Sequence, residues 1–254
     1  MWLNTRLPPF NNLKVRQAVN YAVDRNRTVE LQGGPTQMQR TCQVLPPNFD
    51  GYRRYCPYTI DPRPDGKYTG PDLARAQALV AASGTSGQAV TVWGGGGCCL
   101  DRYFVSVLKS LGYRARFKLV PKGKVNAYFF NLGDSRRKIQ ATVNGWFSDY
   151  LSASNFFPVL FTCASFHPRS ADNANVAEFC NPRIDAEIAR ARSLQTSDPE
   201  AASRLWSKID RDVVDQAPVV AAMNVRSVDF VSARVRNYQY NPQWHALLDQ
   251  IWVK

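Results

Sequence analysis

The residues of this sequence best suited to chemistry lie in one run, Gly145-Trp146-Phe147-Ser148-Asp149-Tyr150. A carboxylate beside two aromatic rings suits a ligand ammonium, because the charge is paired and the rings add apolar and cation–π contact. The competing reading makes Trp146 and Tyr150 core aromatics and Asp149 the cap of a helix beginning near Ser152. Elsewhere the residue types of catalysis occur without the needed spacing. The two histidines, His167 and His245, have no Gly-x-Ser-x-Gly elbow to serve. No spacing of carboxylates picks out a glycosidase-type pair. The glycine run at 94–97 has neither a following Lys-Ser/Thr nor the spaced glycines of a dinucleotide loop. The adjacent Cys98 and Cys99 read as two reduced thiols at a loop-to-helix junction, since neighbouring cysteines bridge only with strain. No Cys-x-x-Cys is present, so no metal site is expected. The expectation is a binding protein, with no catalytic residue and no cofactor.

The other four cysteines bracket loops. Cys42 and Cys56 enclose a segment rich in Pro, Gly and Tyr, and Cys163 and Cys180 enclose one rich in Ser, Asn and Ala. Such loops gain most from a staple, roughly 3 kcal/mol for about fifteen residues in the chain-entropy model. Two disulfides, Cys42–Cys56 and Cys163–Cys180, are therefore expected, and with them an oxidising compartment.

The 32 Lys and Arg against 20 Asp and Glu give a formal net charge of +12. The basic residues are scattered, without a block of five like charges, so the expectation is a solvated basic surface and no nucleic-acid partner. No apolar run reaches the length of about eighteen residues that a membrane span needs. The first residues lack the basic-then-apolar pattern of a signal peptide.

The elements that must position the 145–150 run read as follows. Helices are expected at 13–24, from Pro71 to Gly84, at 101–111, at 184–194 and from Ser197 to about 214. Residues 31–68 read mostly as loop. Strands are expected at 89–93, 113–120, 139–146, 218–221 and 228–231. Strand, helix, strand between 89 and 120 is a βαβ unit, which implies parallel strands. The 145–150 run then falls at the carboxyl end of a strand, where open α/β sheets hold their ligands.

Two stretches resemble the extracellular solute-binding proteins of family 5, the peptide, oligopeptide and nickel receptors of bacterial ABC importers. The first is Asn4-Thr5 with Pro8-Pro9-Phe10, then Val15-Arg16-Gln17-Ala18-Val19-Asn20-Tyr21-Ala22-Val23-Asp24-Arg25. The second is Gly145-Trp146 to Asp149-Tyr150, with Asn155-Phe156-Phe157 after it. Asn181-Pro182-Arg183-Ile184-Asp185, Ile209-Asp210 and Gln216-Ala217-Pro218 are similar to later landmarks, and the two cysteine loops resemble an actinobacterial branch.

The resemblance implies a periplasmic-binding-protein-like (class II) α/β lobe, with a mixed sheet flanked by helices, incomplete beside a two-lobe receptor. It implies that residues 1–232 are the second lobe and that 233–254 return to a missing first lobe. It assigns Trp146, Asp149 and Tyr150 to the ligand, with Asp149 pairing a peptide α-ammonium. Two departures stand against that pattern: Leu151-Ser152-Ala153-Ser154 replaces the usual Asp-Pro, and the 94–99 segment is foreign to it. Implied partners are a peptide or other small solute and, in a full-length parent, the importer permease. An extracellular, cell-surface or periplasmic location is implied, with membrane contact only through a lipid anchor of that parent. The alternative reading is a ligand-sensing module of a larger regulatory protein, or a remnant that binds little.

Overall fold

The computed structural model describes residues 1–96, 99–120, 131–241 and 244–254. Asn12 lies in extended backbone and accepts a hydrogen bond from the Lys14 amide, so helix α1 (Leu13–Ala22) begins just after it. Val15, Ala18, Val19 and Ala22 are all buried, as their one-face spacing requires. Asp24 caps α2 (Arg25–Leu31) through the amides of Asn26 and Arg27. Strand β2 (Met38–Arg40) follows. Helix α3 (Leu73–Ser83) runs from an Asp72 cap to Gly84, whose φ of 66° is the left-handed stop that glycine tolerates best. Pro71 lies just outside it.

The βαβ unit is present. β3 (Ala89–Gly94) and β4 (Arg114–Leu119) pair in parallel across α4 (Cys99–Ser110), in register from Ala89↔Arg114 to Gly94↔Leu119. β5 (Ala141–Thr142) pairs in parallel with the other side of β3, and β1 (Trp2–Leu3) pairs antiparallel with β5. The mixed sheet has the order β1-β5-β3-β4.

Two cores flank it. Side chains alternate along a strand, and β1 divides accordingly: Leu3 joins a core with Val19, Val80, Val92 and Phe104, drawn from α1, α3, β3 and α4. Trp2 joins a second core, built by α5 (Phe157–Phe161), α6 (Pro182–Leu194) and α7 (Pro199–Gln216). There Trp206 stacks on Phe157 with ring centroids 5.8 Å apart. β6 (Met223–Val225) returns to pair antiparallel with β2. The tail folds into two short ribbons, β7 (Val235–Arg236) with β10 (Trp252–Val253) and β8 (Tyr240–Asn241) with β9 (His245–Ala246).

Arg16 and Arg25 have structural roles. Arg16 is buried and donates to the carbonyls of Phe10 and Gln216. Arg25 has no exposed surface and donates to the carbonyls of Asn20, Tyr58 and Ala221 and to Asn20 Oδ1. Burial lowers the pKa of both guanidiniums, and carbonyl dipoles, not carboxylates, satisfy them.

Both expected disulfides form, Cys42–Cys56 with Cα atoms 5.0 Å apart and Cys163–Cys180 at 4.2 Å. Cys99 is free and exposed, while Gly97 and Cys98 lie outside the described residues.

Three expectations need correction. The strand expected at 139–146 shrinks to β5, because its partner β1 is two residues long and the chain leaves the ladder once the Val143 amide has reached Trp93 O. Residues 218–221 make only a bridge, Val219 to Trp2. Residues 228–231 form no strand. Val228 and Phe230 stand in solvent, and the pairing falls instead to β6, whose partner β2 lies in a segment read as loop.

Candidate functional site

β3 and β5 are parallel, so both end at one edge of the sheet, at Gly94 and Thr142. Thr142 Oγ1 donates to Trp93 O at 3.1 Å, tying the two ends together. A Cβ at Gly94 would lie 2.5 Å from Asp101 Oδ1 on α4, so a side chain there would have to displace that carboxylate. At least this member of the glycine run is a packing device.

Beyond Thr142 the chain turns along the sheet edge. Asn144 O accepts the Trp2 indole N–H at 3.1 Å. A cleft of about 370 Å³ opens here, within the range of small-molecule sites. Its walls are Trp2 from β1, Trp146 and Phe147 from the segment after β5, Leu100 and Phe104 from α4, and residues 219–225. Phe147 is 74% exposed and stands at the rim.

Asn155 organises the polar side. It is buried, on the short 3₁₀ turn Ala153–Asn155 that Ser152 caps. The Trp146 indole N–H donates to Asn155 O at 3.1 Å and Oδ1 at 3.2 Å. The Asp149 amide donates to the same Oδ1 at 2.9 Å, and Asn155 Nδ2 donates to Asp149 Oδ2 at 3.1 Å. Asp149 is thus not the helix cap of the competing reading; Ser152 is. Its carboxylate is exposed but held.

The three expected ligand residues therefore separate. Trp146 lines the cleft, while Asp149 and Tyr150 lie outside its lining, both exposed. Sequence reasoning missed Asn155 as the organiser. The available signal was a buried-type amide in an aromatic run, Asn155-Phe156-Phe157. It also missed the contributions of β2 and β6.

A larger polar hollow of about 650 Å³ contains Arg40, Arg54, Lys67 and Arg226, but takes no residue from β3, β5 or the segments after them. Among the described residues no group of three or more His, Cys, Asp or Glu is arranged to hold a metal ion. No helix among them is long and apolar enough to cross a membrane.

Residues 1–167 match the family model described as bacterial extracellular solute-binding proteins, family 5 middle. The chain belongs to this family. It is 23% identical over 245 residues to the glutathione-binding protein GsiB of Salmonella typhimurium, covering 94% of this chain and 44% of that protein. Among solved structures, the clavulanic acid biosynthesis oligopeptide binding protein 2 superposes with a TM-score of 0.83 at 23% identity, over 99% of this chain and 45% of the other. The periplasmic binding protein DppA of Helicobacter pylori, in complex with peptide STSA, gives 0.78 at 18%, over 99% and 46%. The family 5 fold is thereby established for this chain, which spans about half the length of the relatives it matches.

Proposed function

We propose that this chain is the second lobe of a two-lobe receptor that hands peptides, or solutes like them, to an ABC importer. The observation that carries the reading is the cleft at the carboxyl edge of the sheet, with Trp146 in its wall, hydrogen-bonded to the same Asn155 that holds the exposed Asp149 carboxylate outside the lining. Asp149 pairs with a ligand ammonium, Trp146 packs on the ligand's apolar part, and Tyr150 contributes from the solvent side. The second lobe closes over the solute by hinge motion and excludes water.

Residues 1–232 are the lobe, and 233–254 belong to the other one. Two features support this division. The hydrogen bonds described for residues 233–254 join them to one another or to residues 227–232. Their Trp244, Leu248 and Trp252 are exposed, as expected of surface meant for another partner. The two disulfides suit an extracellular or periplasmic location. A permease partner and a lipid anchor on the parent complete the proposal.

The test is calorimetry on a two-lobe protein containing this chain, with peptides of free and N-acetylated amino terminus. Tighter binding of the free peptides is expected. Absence of binding by any peptide would overturn the reading.

A further inference from the structure

The sequence contains three methionines, Met1, Met38 and Met223. All three line the cleft at the carboxyl edge of the sheet. They arrive from separate elements: the residue before β1, the start of β2 and the start of β6. The cleft has a second peculiarity. In a chain with 32 Lys and Arg and 20 Asp and Glu, none of the described side chains lining it is ionisable. Its polar groups are neutral amides and a hydroxyl, among them Asn144, Gln43 and Thr41.

We infer that this cleft is a selectivity pocket for a neutral apolar side chain of the bound solute, aliphatic or aromatic. This deepens the peptide-receptor reading and rests on it. Methionine is unbranched and polarisable, so its side chain repacks around apolar groups of different shape. Such a wall accepts Leu, Met or Phe side chains alike. A charged side chain entering the same space loses its water and finds no charged side chain in the lining to pair with, which disfavours it. Charge recognition stays outside the lining, at Asp149, and side-chain selection happens inside.

The methionines also provide the test. The chain is labelled with [¹³C]methyl-methionine, and Met38→Leu and Met223→Leu assign the resonances. Ala-Leu-Ala, Ala-Phe-Ala, Ala-Glu-Ala and Ala-Lys-Ala are titrated to millimolar concentration. The Leu and Phe peptides should move the Met38 and Met223 methyl signals, with at least tenfold higher affinity than the Glu and Lys peptides. Equal response to charged and apolar peptides would overturn the inference while leaving peptide binding intact. So would apolar peptides that move neither methyl signal, and the calorimetry on the two-lobe protein judges the receptor reading independently of that result.

Discussion

Asn155 and Asp149 hold each other through a reciprocal pair of hydrogen bonds: the Asn155 amide donates to the Asp149 carboxylate at 3.1 Å, and the Asp149 backbone N–H donates back to Asn155 Oδ1 at 2.9 Å. The carboxylate is presented to solvent in one orientation, although its loop has no regular structure. Because Trp146 donates to the same amide oxygen, one buried side chain sets both the charged and the aromatic element of the site.

Asn155→Ala should therefore lower stability by about 1–3 kcal/mol, the usual penalty for stranding buried polar groups. Asn155→Asp keeps the acceptor for Trp146 but sets a second carboxylate against Asp149, so it should harm ligand binding more than its stability loss suggests. Urea midpoints and calorimetry on a two-lobe protein read the two effects. Wild-type values for both variants would show that Asn155 organises nothing.

Asp149→Asn should weaken peptides with a free amino terminus by roughly 10- to 100-fold, the range expected when a hydrogen bond to a charged group is lost. N-acetylated peptides bring no charge and should change little. Equal losses for both would mean that Asp149 only shapes its loop.

Alkylation under native, non-reducing conditions should label Cys99 and spare Cys42, Cys56, Cys163 and Cys180. Paired Cys→Ser replacement at either bridge should cost about 3 kcal/mol, by restoring freedom to the unfolded loop. Mass spectrometry and denaturant melts decide both points. Labelling of the four bridged cysteines before unfolding would contradict the pairing.

Asp210 predicts a pH dependence. It is buried on α7, where its carboxylate accepts from Gln43 Nε2 at 2.7 Å, the Val44 amide at 3.0 Å and the Leu45 amide at 3.4 Å. Burial pushes its pKa up to about 6 despite these donors. A carboxyl raised in the folded state binds its proton more tightly there than in the unfolded chain. Its stabilising contribution is thus complete below about pH 4 and lost as pH rises through about 6. At about 1.4 kcal/mol per pH unit of displacement, stability relative to Asp210→Asn should fall by roughly 2–3 kcal/mol across that window. A constant difference from pH 4 to 7 would refute it. Asp210→Asn itself, with one acceptor oxygen facing three donors, should be destabilised throughout.

Truncation after Ser232 should leave the melting transition of the remainder nearly unchanged, because residues 233–254 add no buried side chain to either core. It should also reduce binding of a hydrophobic dye by removing Trp244, Leu248 and Trp252. Loss of cooperative unfolding would show that the tail is part of this lobe.

Where the information was local, the sequence was readable. The spacing of Val15, Ala18, Val19 and Ala22, the Gly84 stop and the β3-α4-β4 alternation all need only neighbours along the chain, and all appear as expected, whereas the helix expected to open at Pro71 is instead capped by Asp72. The β2–β6 ribbon was not readable, because Met38 gains its strand conformation from Val225, far along the chain. Residues 228–231 failed for the opposite reason: Val228 and Phe230 have strand propensity but no ladder to join. At the site, the motif pointed to Trp146, which lines the cleft. The separation of Asp149 and Tyr150 from the cleft arises from the turn that Asn155 imposes, which no periodicity encodes.

The guanidinium of Arg25 has a consequence for how the lobe is made. It gathers carbonyls from residues 20, 58 and 221. Helices α1 and α2 can form early, but the socket that neutralises the loss of water around Arg25 stays open until residue 221 has been synthesised. β1 waits for the same stretch, since Trp2 bridges Val219. Folding is therefore governed by contacts of long sequence separation, which form slowly. The fold completes only after the last of these distant carbonyls has arrived.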